Sequence, residues 1–186
     1  EFIINDCDAR ILVTTPQFHK ALEPVWSKLT AIQHVVLTTP DADFPQTRDL
    51  TTELAAAAEF TASDLAGGDK ASMIYTSGTT GHPKGVLLTH ANILYNSYVT
   101  HQMIDLEPAD TALCIMPLFH VNAQIASMMS TLWAGATVVL EDGFKPRSFI
   151  DTLKKYRCTT FSGVPTIIGF IPMSPTNVIM RSNAPR

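Results

Sequence analysis

Residues 111–140 contain no Asp, Glu, Lys or Arg. A charge-free stretch of that length has two homes, a bilayer or the middle of a domain whose faces are all covered. Pro117, His120, Asn122, Gln124, Ser127, Ser130 and Gly135 interrupt it. The stretch therefore reads as strand, helix, strand inside an α/β core and not as a membrane span. Residues 112–116 (ALCIM) form the first strand, ending at Pro117. Asn122 is the candidate cap of a helix with Ile125, Met128, Met129, Leu132 and Trp133 on its inward face, closed by Gly135. Residues 137–140 form the second strand.

The rest of the chain repeats this alternation. Residues 10–14 (RILVT) and 34–38 (HVVLT) are strands. Between them Thr15-Pro16 opens a helix with Phe18, Ala21, Leu22, Val25, Trp26 and Leu29 on one face. Residues 39–60 are looser, with an Ala-rich helix around 54–58, and residues 62–70 form a polar connection. Residues 71–75 (ASMIY) are a strand leading into a glycine-rich segment, and 89–103 are a helix. Ser148 through Asp151 has the form of a capping box and opens a helix with Phe149, Ile150, Leu153 and Tyr156 inward. Residues 159–164 are a last strand, stopped by Pro165. Strands separated by helices imply an α/β fold with a largely parallel sheet, in which ligands gather at the carboxyl ends of the strands.

Composition narrows the function classes. The chain is 46% hydrophobic and carries 13 basic against 17 acidic residues, for a formal charge of −4. No basic block exists, so nucleic acid is not an expected partner. An anion would have to be held by a local device, because the overall field repels it. Cys7, Cys114 and Cys158 are widely spaced, lack any CxxC pair and read as buried reduced thiols, which suits a cytoplasmic setting. No metal-ligand spacing is present and no signal-peptide pattern opens the chain. The start at Glu1-Phe2 and the polar end both read as cuts.

The most informative segment is Tyr75-Thr-Ser-Gly-Thr-Thr-Gly-His-Pro-Lys-Gly85. Gly78, Gly81 and Gly85 permit positive φ and close backbone approach to a ligand. Successive N–H groups in such turns form an anion-binding concavity. Thr76, Ser77, Thr79 and Thr80 add neutral donors, and Lys84 adds a point charge suited to a polyphosphate. The bland alternative is a flexible surface loop of small residues. The segment is not the GxxxxGK[ST] loop of kinases and NTPases: the spacing from Gly78 to Lys84 differs, Pro83 precedes the lysine, and Gly85 stands where Ser or Thr is needed.

Ser77 to Gly85 resembles the signature of the AMP-binding, adenylate-forming family, which includes acyl-CoA synthetases and luciferases. The family's free position falls on His82. The resemblance implies that Thr76, Ser77, Gly78, Thr79, Thr80, Gly81, His82, Pro83 and Lys84 form the ATP phosphate-binding loop. Thr89-His90-Ala91-Asn92 also looks like the family's continuation, although Thr89 or His90 could equally be a helix cap.

A second motif, Met116-Pro-Leu-Phe-His120-Val-Asn-Ala-Gln124, follows a strand end. A lone His among apolar residues is usually a satisfied core residue. PLFH, however, is similar to the second motif of the acyl-activating branch, which implies that His120 lies at the acyl and coenzyme A site as base, gate or steric wall. The resemblance implies that amino-acid-activating members carry an acidic residue in this region to pair with the substrate ammonium; residues 113–124 contain no Asp or Glu, which favours a fatty, aromatic or other organic acid without an amino group. PLFHVNAQ and residues 144–156 look most like fatty-acyl or carnitine-type CoA ligases. Gly163-Val-Pro165-Thr166 resembles the family's next turn, or is only a strand stop.

The resemblance implies an acid–thiol ligase that uses ATP, Mg²⁺ and coenzyme A on a small carboxylic acid. It has no transmembrane segment, and peripheral membrane association stays open. Residues 1–186 would be part of the large N-terminal AMP-binding domain, with Arg181 to Pro185 starting an adenine-proximal loop. The family's Mg²⁺-associated Glu, ribose-binding Asp and C-terminal domain with its Lys have no counterpart here. No catalytic acid or base is therefore assigned, and the chain alone is expected to be inactive. Alternatives are a vestigial nucleotide-binding fragment, an aryl-CoA ligase or an acyl-AMP ligase.

Overall fold

The computed structural model describes residues 1–77 and 81–170. Two compact units share the chain: Glu1–Leu65 with Tyr75–Val86, and Ala66–Ile74 with the residues from Leu87 onward.

In the first unit, α1 (Phe2–Asp6) precedes β1 (Ile11–Thr14), α2 (Pro16–Leu22) and a 3₁₀ segment at Glu23–Lys28. Then come β2 (His34–Leu37), β3 (Arg48–Asp49) and α3 (Leu50–Ala56). The order β1-β2-β3 is parallel throughout, with Val13 opposite Val36 and Val36 opposite Arg48. Thr15 caps α2 as the sequence implies, accepting from the Phe18 N–H at 3.4 Å.

The predicted apolar face of α2 is only half right. Phe18 is exposed, whereas His19 and Leu29 are buried. The reason is that Pro24 cannot continue the α-helical ladder. The tighter 3₁₀ winding then turns Trp26 onto the His19 ring, with centroids 5.0 Å apart. Phe44 closes the other side of that ring at 4.3 Å. The helix expected around residues 54–58 starts earlier. Asp49 caps it by accepting from the Thr52 N–H at 2.8 Å and the Thr52 hydroxyl at 2.7 Å.

Strands β4 (Lys70–Thr76) and β5 (Lys84–Thr89) pair as a two-stranded sheet and run from one unit into the other.

In the second unit, α4 (His90–Ile104) leads to β6 (Thr111–Cys114). A π-helical segment (Asn122–Met129), α5 (Ser130–Trp133), β7 (Thr137–Leu140), α6 (Phe149–Tyr156), β8 (Thr160–Ser162) and α7 (Pro165–Phe170) follow. The sheet order is β7-β6-β8, again parallel. The parallel α/β character expected from the sequence holds, but it is distributed over separate small sheets.

Central β6 is covered on both faces, which is why its residues carry no charge. Leu113 and Cys114 are fully buried. Leu113, Ile115, Phe149 and Leu153 form the core. Phe149 meets Phe144 and Phe161 edge-on at 5.4 and 5.2 Å, a geometry worth about 0.5–1.5 kcal/mol per pair beyond area burial. Buried Asp110 ties the amino ends of the sheet together. Its carboxylate accepts from the Glu107 N–H and the Thr159 hydroxyl, each at 2.8 Å, and its carbonyl accepts from the Thr137 N–H at 3.0 Å.

Four expectations fail locally. Asn122 does not cap a helix, because the residues it opens wind as a π-helix. The segment from Asn122 to Trp133 buries Ala123, Ile125, Ser127, Ser130 and Thr131, leaving Leu132 and Trp133 about half exposed. The wider π winding breaks the 3.6-residue period on which the expected face rests. Ser130 and Thr131 satisfy their buried hydroxyls on the carbonyls of Ala126 and Ser127. Ser148 stands at the start of α6 without a side-chain cap. Its backbone is near-helical (φ −108°, ψ −2°), where capping needs an extended residue. Tyr156 lies exposed.

Gly135 does close its helix. At φ 71° it sends its N–H to the Leu132 carbonyl, and the Ala136 N–H reaches that of Thr131, the paired bonds of a Schellman motif. All three cysteines are free, and only Cys114 is buried. Burial pushes the thiols of Cys114 and Cys158 up. Among the described residues no helix is long and apolar enough to cross a membrane.

Candidate functional site

The glycine-rich segment leaves β4 at Thr76. Gly78, Thr79 and Thr80 lie outside the described residues. Gly81 has φ 111°, a backbone that side-chain-bearing residues rarely adopt. Lys84 and Gly85 then open β5, a strand the sequence reading missed by running the loop straight into a helix. The signal was present in Val86-Leu87-Leu88, an apolar run too short to separate from the helix after it.

Thr76 and Lys84 stand across the sheet from each other, with the Thr76 hydroxyl 3.5 Å from the Lys84 carbonyl oxygen. Lys84 is exposed and joins no ion pair among the described residues. No carboxylate occurs in residues 75–86. Hydroxyls, backbone N–H groups and one uncommitted ammonium are thus the polar groups this segment offers, a set suited to a polyphosphate.

The flanks of the segment are fixed from a distance. The Tyr75 hydroxyl donates to Asp6 at 2.5 Å, and that bond pushes the Tyr75 pKa up to about 12. The His82 ring stacks on Phe2 at 4.9 Å and 20°. Neither contact has a local sequence signal, since the partners lie some seventy or more residues apart in the chain.

Of the two readings of Thr89, the cap holds. Thr89 accepts from the Asn92 N–H at 3.2 Å, and Asn92 Oδ1 accepts from the Thr89 N–H at 3.0 Å. Both groups are therefore engaged in starting α4.

His120 follows β6 at the carboxyl end of the β7-β6-β8 sheet. It is exposed, with its ring 4.4 Å from that of Phe119, so it is not a core histidine. Its backbone is pinned, donating to the Pro117 carbonyl at 3.0 Å and accepting from the Gln124 N–H at 3.1 Å. Asn122 turns to β8 and accepts from the Ser162 hydroxyl at 3.0 Å. Pro165 both ends the stretch after β8 and begins α7. The other face of the π segment borders a cavity of about 340 Å³ lined by Ser72, His90, Ile93, Gln124, Ile125 and Met128, among others. That volume and apolar lining suit a small organic group. The glycine-rich segment and His120 fall in different units.

Mg²⁺ is bound through one or two carboxylates together with substrate phosphates. Residues 75–86 supply no carboxylate, and Asp6 is engaged by Tyr75. Among the described residues no three of His, Cys, Asp and Glu gather into a metal site. The described residues do not build a Mg²⁺ site.

The fold and this segment define a class. The chain belongs to the AMP-binding enzyme family, whose profile matches residues 1–185. It is 32% identical over 183 residues to the crotonobetaine/carnitine–CoA ligase of Escherichia fergusonii, a match covering 95% of this chain and 35% of that protein. The crystal structure of ATP-bound MatB from Rhodopseudomonas palustris superposes with a TM-score of 0.76 at 28% identity, covering 94% of this chain and 33% of that one. The inhibitor-bound N-terminal domain of FACL13 from Mycobacterium tuberculosis gives 0.78 at 26% identity, with coverages of 94% and 42%. The chain spans about a third of the length of the curated relatives it matches.

Proposed function

We propose that this chain is the part of an N-terminal adenylation domain that grips the phosphates of ATP, in an acid–thiol ligase that makes an acyl adenylate and then an acyl-CoA. The observation that carries the reading is the segment from Thr76 to Lys84: a run of hydroxyl-bearing residues with no carboxylate, Gly81 at positive φ, and a Lys84 ammonium that joins no ion pair among the described residues. In the first step a substrate carboxylate oxygen attacks the α-phosphorus and the bond to the β-phosphate oxygen breaks, releasing pyrophosphate. In the second a thiol sulfur attacks the acyl carbon, AMP leaves, and the thiol proton passes to solvent or base. Thr76, Ser77 and Lys84 hold the departing charge, which is positioning and electrostatic work rather than bond-making.

His120 borders the acyl side of the reaction. The acid is one without an amino group, because residues 113–124 carry no carboxylate to receive an ammonium. The apolar cavity along the π segment supports a hydrocarbon or aryl portion. A second reading is a nucleotide-binding piece without turnover of its own.

Grafting residues 1–186 in place of the matching third of the Escherichia fergusonii relative tests both. Acid-dependent ATP–pyrophosphate exchange with fatty or aryl acids is expected from the graft, and no AMP release from the 186-residue chain by itself. A folded graft that exchanges best with an α-amino acid would overturn the substrate class. One that binds ATP but exchanges with no acid would leave the second reading standing.

A further inference from the structure

Glu1, Phe2, Asn5 and Asp6 divide α1 into two working faces. Residues four apart in a helix lie one above the other. Glu1 and Asn5 form one such pair, and both reach Lys28 at the end of the 3₁₀ segment. The Glu1 carboxylate meets the Lys28 ammonium at 3.3 Å, and the Asn5 side-chain amide donates to the Lys28 carbonyl at 2.9 Å. Phe2 and Asp6 form the other pair. Phe2 lies under the His82 ring at 4.9 Å and 20°, and Asp6 accepts from the Tyr75 hydroxyl at 2.5 Å.

We infer that α1 is a brace for the glycine-rich segment: anchored on Lys28 by one face, it grips Tyr75 and His82 with the other and so fixes the chain just before Thr76 and just before Lys84. Tyr75 is the last residue but one of β4, and His82 lies two residues before β5. One gripped position thus precedes the loop and the other lies within it, two residues before Lys84. Gly81, next to one grip, has the conformational freedom of glycine and nothing within 4 Å of where a Cβ would stand. Ordering a residue with that freedom costs about 1–2 kcal/mol in backbone entropy, so contacts from outside the segment are needed to hold it. His82 also gains a task here. The ring it presents at a position the motif leaves free is a stacking partner, so His82 is a positioning residue acting through Phe2. The high pKa of Tyr75 agrees, because the phenol keeps the proton it gives to Asp6 well above neutral pH.

The brace is read from contacts alone; only its consequence for ATP rests on the phosphate-binding function proposed above. The test uses the 186-residue chain with Phe2→Ala, His82→Ala, the double substitution, His82→Phe and Tyr75→Phe. Amide hydrogen exchange is followed at Ser77, His82 and Lys84, with Ala112 and Leu113 in β6 as reference. Loss of one aromatic stack is expected to speed exchange roughly three- to tenfold at the three loop amides and leave β6 unchanged. The double substitution should be no faster than either single one, because both remove the same stack, and His82→Phe should exchange like the wild type. Tyr75→Phe should loosen the same amides from the other side. Unchanged loop exchange, strictly additive effects or equal acceleration in β6 would each remove the brace. ATP titration of the same proteins separates the two readings. If the wild type binds no ATP the phosphate reading fails, while the exchange rates still decide the brace. If it binds, affinity should fall by the same three- to tenfold in the loosened variants and be restored by His82→Phe.

Discussion

The two motifs that follow strands in this chain are supported in opposite ways. The segment around His120 leaves β6, whose Leu113 and Cys114 are fully buried, and its backbone is pinned within one turn by Pro117 and Gln124. The glycine-rich segment leaves β4, a strand with no buried residue, and its described contacts reach back to α1 at the start of the chain. One motif is stiff because the core beneath it is stiff. The other is held by an ion-dipole contact and a ring stack that can be loosened without disturbing a core. Segments that must receive and release a ligand belong to the low-stability end of a fold. The difference thus assigns orientation to the sheet and adaptability to the loop.

The largest expected effect falls on the stiff side. Leu113→Ala should cost about 2–5 kcal/mol, because it opens a cavity where β6 packs on α6. Trp26 and Trp133 lie one in each unit, so variants keeping a single tryptophan report the two regions separately in denaturant. The Trp133 transition should move well ahead of that of Trp26, and equal shifts would show that the two regions unfold as one. On the loop side Lys84→Ala should weaken ATP binding by about 2 kcal/mol, the loss of a charge-assisted phosphate contact, and leave both transitions in place. Calorimetric titration with ATP checks the first half, and wild-type affinity would take Lys84 out of the site.

Smaller still is the capping box that starts α4. Thr89→Ala should cost about 1 kcal/mol and appear in the Trp133 transition without changing ATP affinity. A larger loss of affinity than of stability would return Thr89 to ligand contact. The mildest test is pH. The Tyr75 pKa is raised by its bond to Asp6, from 10.0 to about 12. The stabilisation from that bond is therefore complete below pH 10 and is lost as pH rises towards 12. In phenolate absorbance the Tyr75 component should ionise at about 12, and Asp6→Ala should lower it. An unchanged difference spectrum in Asp6→Ala would argue against the bond.

Much of this was legible in the sequence for reasons that are local. Residues 137–140 appear as a strand with the expected bounds because β-branched residues sit between Gly135 and an acidic turn. Thr15-Pro16 and Gly135 act at helix ends through their own backbone chemistry. The glycine-rich signature and PLFH could be read because each packs its chemistry into a run of adjacent residues. Where the reading failed, a neighbour in space or a local backbone constraint overrode the pattern. Asn122 has the side chain of a cap, but Ser162 takes its oxygen. Ser148 has the right neighbours for a capping box but the wrong φ and ψ. Phe18 fits an α-helical stripe that Pro24 brings to an end.

By itself the sequence determined the alternation of strand and helix, the parallel character that follows from it, and the grouping of glycines, hydroxyls and one lysine without a carboxylate in the glycine-rich segment. Those properties depend on periodicity, turn residues and charge, all of which act over a few neighbouring positions. Only the tertiary structure decided that Phe2 and Asp6 face the loop, that His120 is exposed, that Ser162 meets Asn122, and that the segment after Val121 winds as a π-helix. The first and third depend on residues 40 or more positions apart, and the other two on how the chain packs around them. No short-range pattern encodes such pairings, because the free energy that selects them exists only when both partners have already been brought together.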